Sequence, residues 1–315
     1  MERREVWHVR DRRSLSFDPA RRRPARSNDP VISTDRPPAA VIIPATAIRH
    51  LERVNTIHFV RRNFMARNRH AIYVGWDSQQ TLAYDVCRHS LMRHASSPPE
   101  VVPLHQQELR ERTLYWRKED PLASTEFTYT RFLVPHLARY EGWALFMDSD
   151  FLVTADIGDL FAQADERYAL LCVQHDYRPS ESVKMDGAVQ TSYPRKNWSS
   201  LVLWNCGHPA NRVVTPEIVN RETGSFLHRF QWLDDALIGE LPGTWNWLEG
   251  WNETPAAGAP KGIHFTRGGP WYENWGHVAY ADLWREEQAM LRRSEQSAQT
   301  VQAATWTETA SHGSR

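Results

Sequence analysis

The sequence predicts an α/β fold, a mostly parallel sheet covered by helices on both faces, and three observations carry that reading. The chain has 315 residues, 41% of them apolar, enough for one large α/β domain. From His70 onward, short apolar β-branched runs alternate with helical stripes, the pattern of strand–helix–strand units buried on both sides. One of those runs, Trp143–Met147, ends in Asp148-Ser149-Asp150. Ligands of such sheets bind outside the carboxyl ends of the strands, so this acidic triplet falls where a site belongs.

Each element follows from local pattern. "AIYVG" (71–75) is a buried strand closed by a glycine, and "TLAYDVCRHSLMRHA" places Leu82, Val86 and Leu91 on one helical face after Ser78. "EVVPL" is a second strand. "STEFTYTRFLVPHLARY" reads as a helix opening at Ser124 and disturbed at Pro135. "WALFM" is the strand that meets the triplet, and "ADIGDLFAQA" is a helix capped by Asp156. "YALLCVQ" and "SLVLWNC" are strands. "TPEIVNRE" has a Thr215 cap with Pro216 at the first helical position. "QWLDDALIGEL" reads as a short helix stopped by Pro242-Gly243, "KGIHFT" as a late strand, and "YADLWREEQAMLRR" as an amphipathic helix. Residues 1–64, rich in arginine and proline, read as a flexible extension, or as the product of a start assigned upstream of Met65. Residues 65–293 form the expected single domain, and 294–315 a disordered polar tail.

Composition excludes several classes. Lysine plus arginine equals aspartate plus glutamate at 38 each, which argues against a general nucleic-acid or polybasic membrane-surface binder. No apolar run is long enough for a membrane span, and none near the start resembles a signal peptide. Three widely spaced cysteines (Cys87, Cys172, Cys206) show neither zinc nor disulfide spacing, so a cytoplasmic, reducing setting is expected.

Residues i and i+2 of an extended segment share a face, so Asp148 and Asp150 converge on one object. Paired carboxylates repel unless a cation joins them, and hard oxygen donors suit Mg²⁺ or Mn²⁺. Acidic pairs in surface turns are common without a metal, so the surrounding residues decide.

"STEFTYTRFLVPHLARYEGWALFMDSDFLVTADIGDLF", taken with "IYVGWDS", "WNC", "DDAL" and "IHFTRGGPW", resembles the retaining, nucleotide-sugar-dependent glycosyltransferases of family 8 over residues 70–275. The resemblance implies a GT-A-type, Rossmann-like sheet and a hexose moved from a nucleotide sugar, UDP-linked, to a hydroxyl of a glycan or other acceptor with retention. It implies that Asp148, Asp150 and His264 hold Mn²⁺ (or Mg²⁺) and that Arg131 forks a diphosphate. Asp77 would meet uracil or ribose, or else serve as a turn residue. Gly268 and Gly269 would let backbone N–H groups approach phosphate, with Arg267 in place of the family's lysine. Ser199 stands where the family reaches the donor sugar through an asparagine, which is missing here or moved to Asn197, and Asp234 or Asp235 would lie beside the anomeric face as the catalytic polar group. The chain has 14 tryptophans, and Trp245 and Trp247 in "TWNWLEGWNE" are the expected acceptor platform. Two other readings stay open: an Asp-x-Asp phosphatase, for which no downstream lysine and second acidic pair stand out, and a tryptophan-rich carbohydrate-binding protein without catalysis.

Overall fold

The computed structural model describes residues 71–121, 123–176, 194–256 and 258–312, the stretch 301–312 as backbone alone. The extension expected over 1–64 and the start at Met65 lie outside the described residues. The first half contains β1 (Ala71–Gly75), α1 (Thr81–His94), β2 (Glu100–Leu104), α2 (Gln106–Glu111), α3 (Val134–Leu137), β3 (Trp143–Met147), β4 (Phe151–Val153) and α4 (Gly158–Phe161). There follow β5 (Leu170–Cys172), β6 (Leu201–Asn205), α5 (Pro216–Arg221), α6 (Gly224–His228), β7 (Ile238–Glu240), β8 (Trp247–Leu248), β9 (Gly262–His264) and α7 (Ala281–His312).

Six strands form the central sheet in the order β2-β1-β3-β6-β5-β7. The joins of β1 with β2 and β3, and of β5 with β7, are parallel; β6 runs against both of its neighbours. The period-two side-chain alternation of a strand divides this sheet cleanly. Tyr73, Ala144, Phe146, Leu170, Cys172, Val202 and Trp204 point to one face, where Phe132, Leu133, Val219 and Leu227 cover them. Ile72, Val74, Leu145, Met147, Leu171, Leu201 and Leu203 point to the other, under Cys87 and Leu91 of α1 and Leu160 of α4. Both faces are thus buried, as the unbroken apolar strands require.

A smaller sheet, β4-β9-β8, lies alongside and packs with Trp284 and Ala281 of α7. Neither β4 nor β8 is legible in the sequence, since each is only two or three residues long. Two helical expectations fail. Residues 124–140 break into turns, a 3-10 turn at Thr130–Leu133 and the short α3, where Pro135 stands in the first turn and its missing N–H costs nothing. "QWLDDALIGEL" divides into a 3-10 turn at Asp235–Leu237 and strand β7, because pairing with β5 outweighs local helical periodicity. The helix expected to finish near Ser294 continues to His312. Among the described residues no helix is long and apolar enough to cross a membrane.

α7 is clasped to α1 by one buried carboxylate. Glu287, 1% exposed, meets His89 Nδ1 at 2.5 Å and accepts from Arg93 Nε at 3.0 and 2.9 Å. Glu287→Gln removes the charge and leaves both partners under-satisfied. The expected cost is about 2 kcal/mol, discounted for the partial exposure of Arg93. A urea midpoint unchanged from wild type would show that α7 is held by its apolar face alone.

Candidate metal and nucleotide site

The acidic triplet is the point where the chain leaves one sheet for the other. Asp148 N–H donates to the Ser200 carbonyl at 2.8 Å, extending the β3–β6 ladder by one bond. The Asp150 carbonyl accepts from Phe265 N–H at 3.0 Å, opening the β4–β9 ladder. Ser149 between them is buried, at 1% exposure. Backbone bonds on either side therefore hold the triplet extended, and the two carboxylates face the same way.

The late strand supplies the third donor. β9 pairs antiparallel with β4 so that His264 lies opposite Phe151, its ring stacked on the phenyl at 4.3 Å. His264 Nε2 stands 3.2 Å from Asp150 Oδ1. One donor atom from each of Asp148, Asp150 and His264 falls within 4.8 Å of the others.

A hydrogen-bond chain behind His264 sets its tautomer. Ser200 Oγ–H donates to the Asn197 carbonyl at 2.7 Å and accepts from Asn246 Nδ2 at 2.9 Å. Asn246 Oδ1 therefore faces the imidazole and accepts from His264 Nδ1–H at 2.9 Å. In the neutral ring this leaves the Nε2 lone pair turned toward the Asp150 carboxylate. Two electron-rich atoms at 3.2 Å repel unless a proton or a cation lies between them. The donor set, two carboxylates and one neutral imidazole backed by an amide, fits a divalent cation of the Mn²⁺ or Mg²⁺ type. Asn246 is fully buried and had no signal in the sequence, because its role depends on meeting β9 and the Asn197–Ser200 turn. His175, just past β5, also escaped notice. It lies beside His264 and Asn246, and its pKa is pushed down to about 4, first by burial and then by His264.

Arg131 lies beneath the triplet. Its guanidinium sits among the rings of Phe127 and Phe146 at 5.3 and 5.0 Å and is only 7% exposed. Nη1 is 2.8 Å from Asp148 Oδ1 and 3.0 Å from the Ser199 carbonyl, while Nε donates to the Phe127 carbonyl at 3.3 Å. Gly75 makes this possible: a Cβ there would lie 2.4 Å from the Phe127 ring. Ser199 Oγ bonds His228 Nδ1 at 2.8 Å.

The remaining expected residues scatter. Asp77 is buried at the end of β1, its carboxylate accepting from Gln79 N–H at 2.9 Å and Glu126 N–H at 3.1 Å, the turn role. It borders a cleft of about 930 Å³ outside the ends of β1 and β2, whose lining includes Trp76, Gln106, Arg110, Tyr115 and Tyr272. Arg267 pairs with Glu249 at 3.1 Å, its guanidinium filling the space over Gly250, where a Cβ would be 1.7 Å away. Gly268 N–H donates to the Phe265 carbonyl at 2.8 Å, and Gly269 packs against Trp271. Asp234 and Asp235 sit on an exposed turn, Asp235 paired with Arg195. Trp245 and Trp247 are 2% and 5% exposed and belong to two separate core clusters, so neither presents a face to an acceptor. The alternation that put them on one side assumed a strand, whereas Trp245 lies in a 3-10 turn before β8.

No protein-family model matches the chain. Protein CDI of Arabidopsis thaliana is 56% identical over 219 residues, 69% of this chain and 85% of that protein. Among solved structures, the apo WbbM bifunctional glycosyltransferase superposes with a TM-score of 0.50 at 16% identity, over 70% of this chain and 50% of that one. The apo glycosyltransferase GlyE of Streptococcus pneumoniae TIGR4 gives 0.49 at 16% identity, over 73% of this chain and 64% of its own. The chain thus spans half of the WbbM chain and under two thirds of GlyE. The fold is of the glycosyltransferase GT-A type.

The buried imidazole of His228 makes the wall of this site acid-sensitive. Its pKa is lowered to about 3 by burial and then by Arg131 and Arg117, so it stays neutral while folded. An unfolded histidine protonates near pH 6.5. As pH falls from there toward 3, the unfolded chain takes up a proton that the folded chain refuses, and stability drops by up to about 1.4 kcal/mol per pH unit. His175 adds a loss of the same sign down to about pH 4. Urea midpoints at pH 7 and pH 5 should therefore differ more in wild type than in His228→Gln.

Proposed function

The chain belongs to the Protein CDI family, and from that premise we propose that it is a divalent-metal-dependent glycosyltransferase similar to family 8. It moves a hexosyl group from a nucleotide sugar, UDP-linked, to a hydroxyl acceptor with retention of configuration. The observation that supports this reading best is the opposed pair of electron-rich atoms, Asp150 Oδ1 and the His264 Nε2 lone pair, at the carboxyl end of the central strand. Three donor atoms within 4.8 Å of one another, from two carboxylates and an imidazole, form a set that a pairwise ion bridge between His264 and Asp150 would not need. A phosphatase would use one aspartate as a nucleophile and gains nothing from an imidazole facing the other.

Asp148, Asp150 and His264 are assigned to Mn²⁺, with Mg²⁺ as the alternative. When bound, the ion supplies a Lewis acid that offsets charge on the departing nucleoside diphosphate. Asn246 and Ser200 orient the imidazole. Arg131 is assigned a positioning role: it holds the Asp148 carboxylate and lowers the repulsion between the two aspartates. The cleft beside Asp77 takes the nucleoside, with Tyr272 available for stacking and the glutamines for polar contacts. Asp235 pairs with Arg195, so Asp234 is the carboxylate assigned to the sugar's anomeric face. Ser199, bonded to His228, shapes the donor side of the wall. Three free, buried cysteines suit the cytoplasmic setting included in this reading.

UDP titrated calorimetrically with and without Mn²⁺ tests the proposal. Binding is expected only with the metal, and Asp150→Asn is expected to abolish transfer without unfolding the chain. Asn246→Leu removes the acceptor for Nδ1–H, and Mn²⁺ affinity should fall roughly 10- to 100-fold. UDP bound equally well in chelator, or wild-type turnover by Asp150→Asn, would overturn the assignment. Arg131→Lys keeps a charge but loses the fork that spans Asp148 and two carbonyls. It should lower stability by about 1–3 kcal/mol and weaken metal binding together. A variant of wild-type stability with reduced UDP affinity alone would return Arg131 to direct contact with the diphosphate.

A further inference from the structure

A second cleft, of about 590 Å³, opens between the segment entering β6 and the turn that leads to β7. Its walls include Arg195, Phe226, Arg229, Leu233 and Asp235. It adjoins the metal site through a short stretch of chain: Asn197, whose carbonyl ends the relay from His264, follows Arg195 by two residues. Trp198, next in sequence, donates its indole N–H to the carbonyl of His175 at 2.9 Å.

Arg195 joins the two walls. It pairs with the Asp235 carboxylate and donates from Nη1 to the Arg229 carbonyl at 2.6 Å, and its guanidinium lies 5.2 Å from the Trp198 ring. Its charge is therefore cancelled within the cleft. That of Arg229 is not. The Arg229 side chain has no hydrogen-bond or ion-pair partner among the described residues, and its Nε–H is shut off from solvent without a protein acceptor. A half-buried guanidinium facing a cleft lined by Phe226 and Leu233 is a recognition group for phosphate or carboxylate, with apolar surface beside it for a carbon skeleton.

We propose that this cleft binds the acceptor and that the acceptor carries an anionic group, a phosphate or a carboxylate, received by Arg229. This rests on the glycosyltransferase reading for the word acceptor, though not for the anion site. Specificity would follow from charge: the hydroxyls of a neutral sugar offer the Arg229 guanidinium only neutral acceptors, whereas an anion offers charge-assisted hydrogen bonds of about twice the strength and an opposite charge.

The test is calorimetry on the full chain in chelator, so that no metal competes for the anion, with glucose 6-phosphate, glucuronate and glucose as probes. The two anionic sugars should bind at least about tenfold more tightly than glucose, the scale of one charge-assisted hydrogen bond. The arm that binds more tightly identifies phosphate or carboxylate as the group. Arg229→Gln should erase the difference and Arg229→Lys retain part of it, with unchanged melting confirming that both variants fold. No preference for the anionic sugars, or a preference that survives Arg229→Gln, overturns the inference even where UDP binds with Mn²⁺. Discrimination by Arg229 in a chain that does not bind UDP would instead overturn the glycosyltransferase reading and leave the anion site standing.

Discussion

Two aspartates are held on the same side of an extended segment by backbone hydrogen bonds that neither side chain can relax. Asp148 is fixed by the last bond of the β3–β6 ladder and Asp150 by the first bond of β4–β9. The chain between them crosses from one sheet to the other with Ser149 turned inward. Separation of the carboxylates would require breaking one sheet or the other, so the repulsion must be met chemically. Arg131 meets Asp148 from below, and Asp150 is left facing His264.

Much of the surrounding wall exists to hold those compensating groups. Arg131 needs the Phe127 carbonyl, which lies where it does because β1 ends in a glycine. His264 needs Asn246, which needs Ser200, which in turn needs the left-handed turn at Asn197. These residues belong to five separate stretches of chain, and Arg131, Ser200, Asn246 and His264 are all buried. A low local dielectric strengthens every hydrogen bond in the chain and raises the cost of breaking one. The site is consequently rigid on its protein side.

Burial also separates the histidines by task. His228 is kept neutral by desolvation and by the neighbouring Arg131 and Arg117, His175 chiefly by desolvation. Neither is charged at neutral pH, so both act as fixed hydrogen-bonding and packing groups in the wall. His264 differs in having an amide that selects its tautomer and a carboxylate opposite its free nitrogen.

The strands that carry the site were legible because apolar runs buried on both faces leave few alternatives: β1, β3, β5 and β6 all stand where their hydrophobic patterns lie. The triplet was legible because carboxylates at the end of such a strand demand a partner, and His264 because a late strand beside glycines resembled a known motif. What escaped depends on pairing between distant segments. β7 became a strand through its ladder with β5, against a helical periodicity. Asn246 acquired a role only when β9 came to lie behind it, and Arg229 only when its neighbours paired with each other. Trp245 and Trp247 were drawn into the core because a large aromatic surface is stabilised by leaving water, whatever face a local alternation assigns it. Local sequence determined the elements and the chemistry at their ends; which charges remain uncompensated was decided by the tertiary structure, since compensation is a property of neighbours in space.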